Sequence, residues 1–211
     1  MQTIIHPTYF PSVAHWVALN ENEGDIIFEK QDNYQKQTYR NRTYIYSPNG
    51  KQLLSIPIKH IKGEGHQKYR DVMLEDSFDW KKQHWKSIQT AYRTSPFFEF
   101  YEDEFAPFFE KKHRFLYDMN LESIMLMADC LQLEIALKYT ETYQVEVTKY
   151  QDLRSLVLAK KEKNYGFDPY TQVFDAKHGF IENLSGLDLL FNEGTNALSY
   201  LDQLSLEQQN P

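Results

Sequence analysis

The first 28 residues follow an order of elements that leaves few folds open. Thr3–Ile5 is a β-branched run that ends at His6, because the residue before a proline is disfavoured in the helical region. Ser12 is placed to cap a helix over residues 13–19, and an apolar run at 25–28 follows as a second strand. This order predicts a βαβ unit, in which the two strands are parallel.

A β-hairpin and several helices follow this unit. Predicted strands at 42–46 and 52–58 flank Pro48-Asn49-Gly50, whose Asn-Gly pair can supply the positive φ of a tight turn. Apolar spacing predicts further elements, which are a strand at 72–74, helices at 80–92, 97–109 and 116–137, and segments at 151–158 and 184–204.

Together these elements predict an α/β fold. It has a mixed sheet, with an N-terminal parallel βαβ unit and a β-hairpin, packed by helices of a largely helical C-terminal half. The length suits one domain, so residues 1–205 are predicted to form a single domain and 206–211 a frayed tail.

Composition narrows the function classes. The net charge of -7 argues against general nucleic-acid binding. The longest apolar stretch, at 121–137, contains three carboxylates, which indicates a core helix rather than a membrane span. Cys130 is the single cysteine, so an internal disulfide and a multi-cysteine zinc site are excluded. The first residues lack the basic and apolar regions of a signal peptide, which favours a cytoplasmic location.

No sequence fingerprint points to a metal or to a cofactor. The chain has no His-x-x-x-His pair with a nearby carboxylate, no Gly-x-Ser-x-Gly elbow and no Gly-x-Gly-x-x-Gly run. We therefore expect no metal site, while the cofactor and the oligomeric state stay unknown at this point.

Positive charge is concentrated in residues 30–70, where nine Lys or Arg accompany two acidic residues. In an acidic chain such a segment favours an anion-binding surface, although a solvated basic face is the plain alternative. We therefore expect a small anionic substrate that carries a phosphate or carboxylate. In an extended segment Arg40 and Arg42 would share one face, where two guanidinium groups can hold a phosphate or carboxylate. Asn41 would orient a substrate group.

The loop at 59–66 offers one more basic candidate. Lys59 could be carried to an anion by a flexible lid, or the segment could be a plain solvated loop.

His6 is the first catalytic candidate. It follows a strand end, and ligand sites in open α/β sheets lie beyond the carboxyl ends of strands. A neutral imidazole can act as a base near pH 7, while a packed histidine beside proline is the alternative. Tyr9, in the same turn, could stack on or hydrogen-bond a ligand ring. His15, on the following helix, offers a weaker option, nucleotidyl transfer by the two histidines.

Two further candidates lie in predicted helices. His84 shares a helical face with Trp80 and Ile88, which favours a core histidine unless that face lines the pocket. Asp188 lies among apolar residues, and a buried carboxylate needs a partner. It is therefore predicted either to orient a histidine or to form an ion pair with an arginine.

In this order and spacing, several strings resemble the WbqC-like family from about residue 4 to residue 202. The matching strings are Ile5-His6-Pro7-Thr8-Tyr9-Phe10-Pro11, Tyr39-Arg40-Asn41-Arg42 running into Pro48-Asn49-Gly50, Leu54-Ser55-Ile56-Pro57, His84-Trp85-Lys86-Ser87-Ile88, Ser95-Pro96-Phe97-Phe98 and Asp188-Leu189-Leu190-Phe191-Asn192-Glu193-Gly194. Many family members have His-Gln-Pro where this chain has His-Pro.

The resemblance implies a transferase of bacterial cell-surface polysaccharide biosynthesis, because family members occur in O-antigen and polysaccharide gene clusters. It implies aminoacyl or acyl transfer to a nucleotide-linked amino sugar, and it brings no catalytic residues with it. On this hypothesis His6 and Asp188 are catalytic. The substrate-binding residues are Tyr9, Arg40, Asn41, Arg42, Lys59 and His84.

The alternative is a non-catalytic scaffold that binds a sugar or a protein. It predicts an exposed patch of Tyr and Phe residues at 97–109.

Overall fold

The architecture is that of a computed structural model, which describes residues 2–59, 66–161 and 163–206. Its strands are β1 (Thr3–Ile5), β2 (Ile26–Phe28), β3 (Arg42–Ser47), β4 (Gly50–Ser55) and β5 (Gln151–Asp152). Its α-helices are α1 (Val13–Glu21), α2 (Trp80–Tyr92), α3 (Phe98–Glu110), α4 (Leu116–Leu131), α5 (Asp175–His178), α6 (Gly186–Glu193) and α7 (Ala197–Asp202). The predicted α/β fold class is confirmed.

The N-terminal βαβ unit forms part of a parallel sheet with the order β2-β1-β5. Strand β1 lies in the middle, and its Ile4 pairs with Ile27 on one side and Asp152 on the other. All three strands run in the same direction, so their carboxyl ends meet at one edge of the sheet. The residues that follow the three strands therefore come together in space.

The predicted hairpin is formed by β3 and β4, which pair from Arg42 with Ser55 to Ser47 with Gly50. Gly50 has a φ of 92°, the positive value that the tight turn requires. The second strand ends at Ser55 rather than at residue 58. The Ile56 N–H still donates to Asn41 O at 2.8 Å in the hairpin register, but the Asn41 N–H turns away to Thr38 O at 3.1 Å and does not return a ladder bond.

The strand predicted at 72–74 was wrong. A 3-10 helix, Tyr69–Asp71, precedes this segment, which then makes only the isolated bridges Met73 with Phe115 and Leu74 with Ile58. Its apolar residues are buried by the surrounding helices, and burial without a strand partner gives the same sequence pattern as a short strand.

Helix α2 has the predicted bounds and α3 is displaced by one residue, but α4 stops at Leu131 instead of continuing to residue 137. Gln132 adopts the left-handed conformation with a φ of 61°, and the Leu133 N–H bonds back to Ala128 O at 2.9 Å. This geometry ends a helix even without glycine. Beyond it, Leu133 and Ile135 pack against the core from irregular chain, while Leu137 is exposed.

The start of α1 differs from the simple cap that was expected. Ser12 occupies the cap position, but its side chain makes no capping bond and contacts His15 Nδ1 at 3.1 Å. Asn183 Oδ1 accepts from the Ala14 N–H at 2.8 Å instead. A distant loop therefore supplies the cap, which local sequence does not reveal.

Helix α6 lies at the centre of the packing, with every residue from Gly186 to Phe191 buried. Gly186 lies directly against the Trp16 indole of α1, where a larger side chain would clash. Between α4 and α5 the described chain is mostly irregular, with β5 and two short 3-10 helices. Within the described residues, no helix is long and apolar enough to cross a membrane.

Candidate functional site

A cleft of about 300 Å³ opens at the edge of the sheet where the parallel strands end. His6 follows β1, Asp32 lies in the loop after β2, and Arg154 follows β5. The other described residues that line the cleft are Gln35, Arg40, Tyr143, Asp152, Ser155, Val157 and Leu158. Ligand sites in open α/β sheets lie at this edge, and the volume is at the small end of the range for ligand pockets.

His6, Asp32 and Arg40 meet in this cleft. Arg40 Nη2 lies 2.7 Å from both Asp32 Oδ2 and His6 Nε2, and His6 Nε2 lies 3.1 Å from the same carboxylate oxygen. Because Nη2 carries two hydrogens, it can donate one to the carboxylate and one to the imidazole. In this arrangement His6 is neutral, with its proton assigned to Nδ1 from the hydrogen-bond geometry.

The electrostatics of this group favour a neutral imidazole. The pKa of His6 is lowered to about 4, first by burial and then by the charge of Arg40, against the opposing hydrogen bond and charge of Asp32. Burial raises the pKa of Asp32, but the neighbouring His6 and Arg40 lower the pKa overall. At neutral pH the site therefore holds an unprotonated base beside an ion pair.

Arg40 is held in place by its backbone and still has unused donors. The peptide before it is fixed by bonds from Tyr9 N to Tyr39 O at 3.1 Å and from Tyr39 N to Val157 O at 2.9 Å. Asn120 Nδ2 donates to the carbonyl of Arg40 at 2.6 Å. The guanidinium is buried, yet its Nε and Nη1 have no partner among the described residues. A buried donor without a hydrogen-bond partner destabilises the fold, and an anion bound there would supply the missing partner.

Arg154 also lines the cleft, but its donors are occupied. It bonds Asp152 through Nε at 2.8 Å and Nη2 at 2.6 Å, and it donates to Gln144 O at 2.8 Å and Val145 O at 3.1 Å. Its Nη1 also lies 3.6 Å from the buried Glu29 carboxylate. Of the two arginines in the cleft, Arg40 is therefore the one with free hydrogen-bonding capacity.

The described basic side chains of residues 30–70 are spread apart and do not cluster at the cleft. Within the described chain, Arg40 is the one basic residue of this segment that lines it. Lys30 and Lys51 lie over tyrosine rings, and Lys68 and Arg70 bond to Gln31. Asp32 and Asp152 balance the two arginines of the cleft, so an anion bound here would depend on the free donors of Arg40 and not on a net positive surface.

The two arginines of the Tyr39-Arg40-Asn41-Arg42 string were expected to share one face of an extended segment. The structure does not place them in this way. Arg40 lies in a turn closed by the Asn41 N–H bond to Thr38 O at 3.1 Å, and Arg42 begins β3. Asn41 Nδ2 donates to Ile56 O at 3.3 Å, which ties the turn to the hairpin. Neither Arg42 nor Asn41 is among the residues that line the cleft.

Tyr9 and His84 lie together in the core. The Tyr9 hydroxyl is 3.0 Å from His84 Nδ1, and both side chains are buried outside the cleft lining. Burial lowers the pKa of His84 to about 4. Lys59 is half-buried, with its N–H bonded to Met73 O at 2.9 Å, and it too lies outside the cleft lining. The rest of the predicted 59–66 lid, except His66, lies outside the described residues.

Asp188 is fully buried at the start of α6, and its partners differ from those expected. Its Oδ2 accepts from the Tyr170 hydroxyl at 2.7 Å and from Gln172 Nε2 at 2.8 Å. These partners are neither a histidine nor an arginine, so both expected pairings were wrong. Burial raises the pKa of Asp188 to about 6, against the lowering effect of these hydrogen bonds.

His15 is buried on α1 beside Ser12, outside the cleft lining. Burial lowers its pKa to about 3, and His6 adds to the shift. The aromatic patch expected at 97–109 is largely internal, because five of its rings pack into the core. Phe100 is the exception, being 76% exposed.

Sequence reasoning missed most of the residues that surround His6 and Arg40. Asp32 could have been found by the argument used for His6, since it follows a strand of the same parallel unit. Asp152 and Arg154 could not, because β5 is only two residues long and no periodicity marks it. Asn120 looks like any polar residue of an apolar helix, although it is fully buried against the Arg40 carbonyl.

Among the described residues, no group of three or more His, Cys, Asp or Glu side chains is arranged to hold a metal ion. The side chains that line the cleft include a neutral imidazole, two carboxylates and two guanidinium groups.

Comparisons with known proteins cover nearly the whole chain. The profile of the WbqC-like protein family matches residues 6–169, a range that includes His6, Asp32, Arg40 and Arg154 but not Asp188. The uncharacterized protein Rv1507c of Mycobacterium tuberculosis (strain ATCC 25618 / H37Rv) is 27% identical over 226 residues, covering 94% of this chain and 96% of that protein. No solved structure matches the chain.

Proposed function

The chain belongs to the WbqC-like protein family, and we propose that it is a group-transfer enzyme that uses the cleft at the strand ends. Its substrate is small and anionic, and carries a phosphate or carboxylate that Arg40 binds. The reaction is transfer of an acyl or aminoacyl group to an amine. The setting in cell-surface polysaccharide biosynthesis, with a nucleotide-linked amino sugar as acceptor, rests on the family resemblance alone.

One observation carries this proposal: a neutral histidine and an arginine with free donors lie 2.7 Å apart in one cleft. An anion that binds one of the free donors of Arg40, at Nε or at Nη1, would draw the guanidinium away from His6 Nε2. It would also offset the positive charge that lowers the His6 pKa. Substrate binding would therefore both free the lone pair of His6 and make it a stronger base.

The neutral amine attacks the carbonyl carbon of an activated acyl donor, such as a thioester or an acyl phosphate, and the new N–C bond forms. His6 Nε2 takes the proton that the amine nitrogen loses. The bond from the carbonyl carbon to the leaving group breaks, and the leaving group departs with its electron pair. Asp32 stabilises the imidazolium that is formed, because its carboxylate lies 3.1 Å from Nε2.

The test is turnover, measured by mass spectrometry on mixtures of nucleotide-linked amino sugars with acyl thioesters or acyl phosphates. In His6→Gln, which removes the base at similar volume, we expect the rate to fall by about a hundredfold or more with substrate binding largely retained.

His84→Gln is the matched control, since His84 is also buried with a pKa of about 4 but lies outside the cleft lining. We expect this variant to lose stability and to keep its turnover per folded molecule. Equal loss of turnover in the two variants would rule out His6 as the base.

A second candidate function, a non-catalytic scaffold, has one supporting observation. Phe100 is exposed at the edge of a separate cleft of about 510 Å³, also lined by Leu126, Cys130 and Leu198. A scaffold of this kind would show no turnover with any donor.

A further inference from the structure

One wall of the cleft at the strand ends comes from an irregular segment, residues 141–150. Tyr143 is the residue of this segment that lines the cleft, and it is 40% exposed. Apart from His6, it is the one ring among the described lining residues. The cleft thus combines an accessible aromatic ring with Arg40, whose Nε and Nη1 are buried and unpartnered.

Arg154, which also lines the cleft, holds this wall in place. Two of its hydrogen bonds go to the carbonyl groups of Gln144 and Val145, which directly follow Tyr143. Its guanidinium also lies 5.2 Å from the centre of the Tyr143 ring, within the range of a cation–π contact. Asp152 bonds the same guanidinium at two oxygens, which raises the pKa of Arg154 and fixes its orientation.

We propose that Tyr143 is the ring-binding residue of the cleft and that it stacks on the base of a nucleotide whose phosphates bind Arg40. In this proposal Arg154 is a positioning residue, which holds Tyr143 and the following two peptides in the geometry that stacking requires. The inference rests on the proposed function, because it takes phosphate binding at Arg40 as given, and it names the nucleotide as the recognised part of the substrate.

The chemistry of the cleft favours a nucleotide. Aromatic side chains bind bases through their faces, and the Tyr143 ring lines the cleft and is 40% exposed. The carboxylates Asp32 and Asp152 are engaged with arginines, so they do not repel a phosphate as free charges would. Three contacts of Arg154, with Gln144 O, Val145 O and the Tyr143 ring, fix the segment around this exposed tyrosine.

The experiment is isothermal titration calorimetry with nucleoside diphosphates and with inorganic pyrophosphate. Pyrophosphate reports the Arg40 site alone, and the affinity ratio between a nucleoside diphosphate and pyrophosphate reports the base. For the wild-type protein we expect at least one nucleoside diphosphate to bind about tenfold or more tightly than pyrophosphate.

Tyr143→Ala should abolish that ratio and leave pyrophosphate binding within about twofold, whereas Tyr143→Phe should keep the ratio. Arg154→Lys should lower the ratio and increase hydrogen exchange at residues 143–145, which a purely structural loss elsewhere would not do. Tyr139→Ala is the matched control, because Tyr139 is an exposed tyrosine of the preceding chain that lies outside this cleft.

The outcomes separate the two proposals. If pyrophosphate binds through Arg40 but no nucleoside diphosphate binds more tightly, or Tyr143→Ala keeps the ratio, the role of Tyr143 is wrong and the proposed function stands. If neither pyrophosphate nor any nucleoside diphosphate binds, the anion site at Arg40 and the inference built on it both fail.

Discussion

At the scale of single residues, burial and neighbouring charge decide what each ionisable group can do. His6, His15 and His84 all have a pKa lowered mainly by burial, to about 4, 3 and 4. Only His6 combines this shift with an arginine, a carboxylate and a cleft. A lowered pKa therefore does not by itself identify a base, because His15 and His84 share it with His6.

Asp188 gives a prediction at this scale. Its folded pKa of about 6 lies above the ordinary value of 3.8, so the carboxyl group stabilises the fold while protonated and loses that stabilisation as pH rises through 6. Asn cannot titrate. Wild type should therefore lose stability as pH rises, while the variant does not. We expect the free energy of unfolding of Asp188→Asn to increase relative to that of wild type by about 1–2 kcal/mol between pH 5 and pH 7.5.

Urea unfolding of both proteins at the two pH values measures this difference. Tyr170→Phe is the companion variant: it removes a hydrogen bond that lowers the Asp188 pKa and should move the transition to higher pH. A stability difference between Asp188→Asn and wild type that does not change with pH would contradict the account.

At the scale of elements, the ends of strands and helices are set by contacts that the local sequence does not contain. His6 could be predicted as a site residue because a His-Pro pair after a β-branched run marks a strand end in the sequence itself. Arg40 was predicted from a correct residue pattern but with the wrong backbone, because a turn tied to α4 and to residue 157 replaces an extended segment. The cap of α1 comes from Asn183, far along the chain.

The packing of α6 on α1 gives a prediction at the scale of elements. A Cβ atom at Gly186 would clash with the Trp16 indole and lie 2.9 Å from Met127 Cε, and both neighbours are buried. We expect Gly186→Ala to lower the free energy of unfolding by about 1–3 kcal/mol through overpacking.

Thermal or urea unfolding measures this loss. The same substitution in a Trp16→Leu background should cost much less, since the clashing ring is gone. Equal losses in both backgrounds would show that the close approach of α6 to Trp16 is not what requires glycine.

At the scale of the whole molecule, the candidate site exists because three parallel strands end at one edge. The first two strands belong to a local unit that the sequence predicts, and β5 joins them from more than a hundred residues away through bonds such as Leu153 N to Ile4 O at 3.0 Å. Arg154 and Tyr143 reach the cleft only through this long-range pairing. The fold class and His6 were therefore accessible to sequence reasoning, whereas most of the wall around His6 was not.

The central claim is that Arg40 couples anion binding to the basicity of His6. The most direct measurement is an NMR titration of the histidine ring signals against pH, with and without saturating pyrophosphate. We expect His6 to titrate near pH 4 in the free protein and its pKa to rise by about one unit or more with the anion bound. His84 serves as the internal reference and should not respond. A His6 pKa that is the same with and without pyrophosphate would contradict the account.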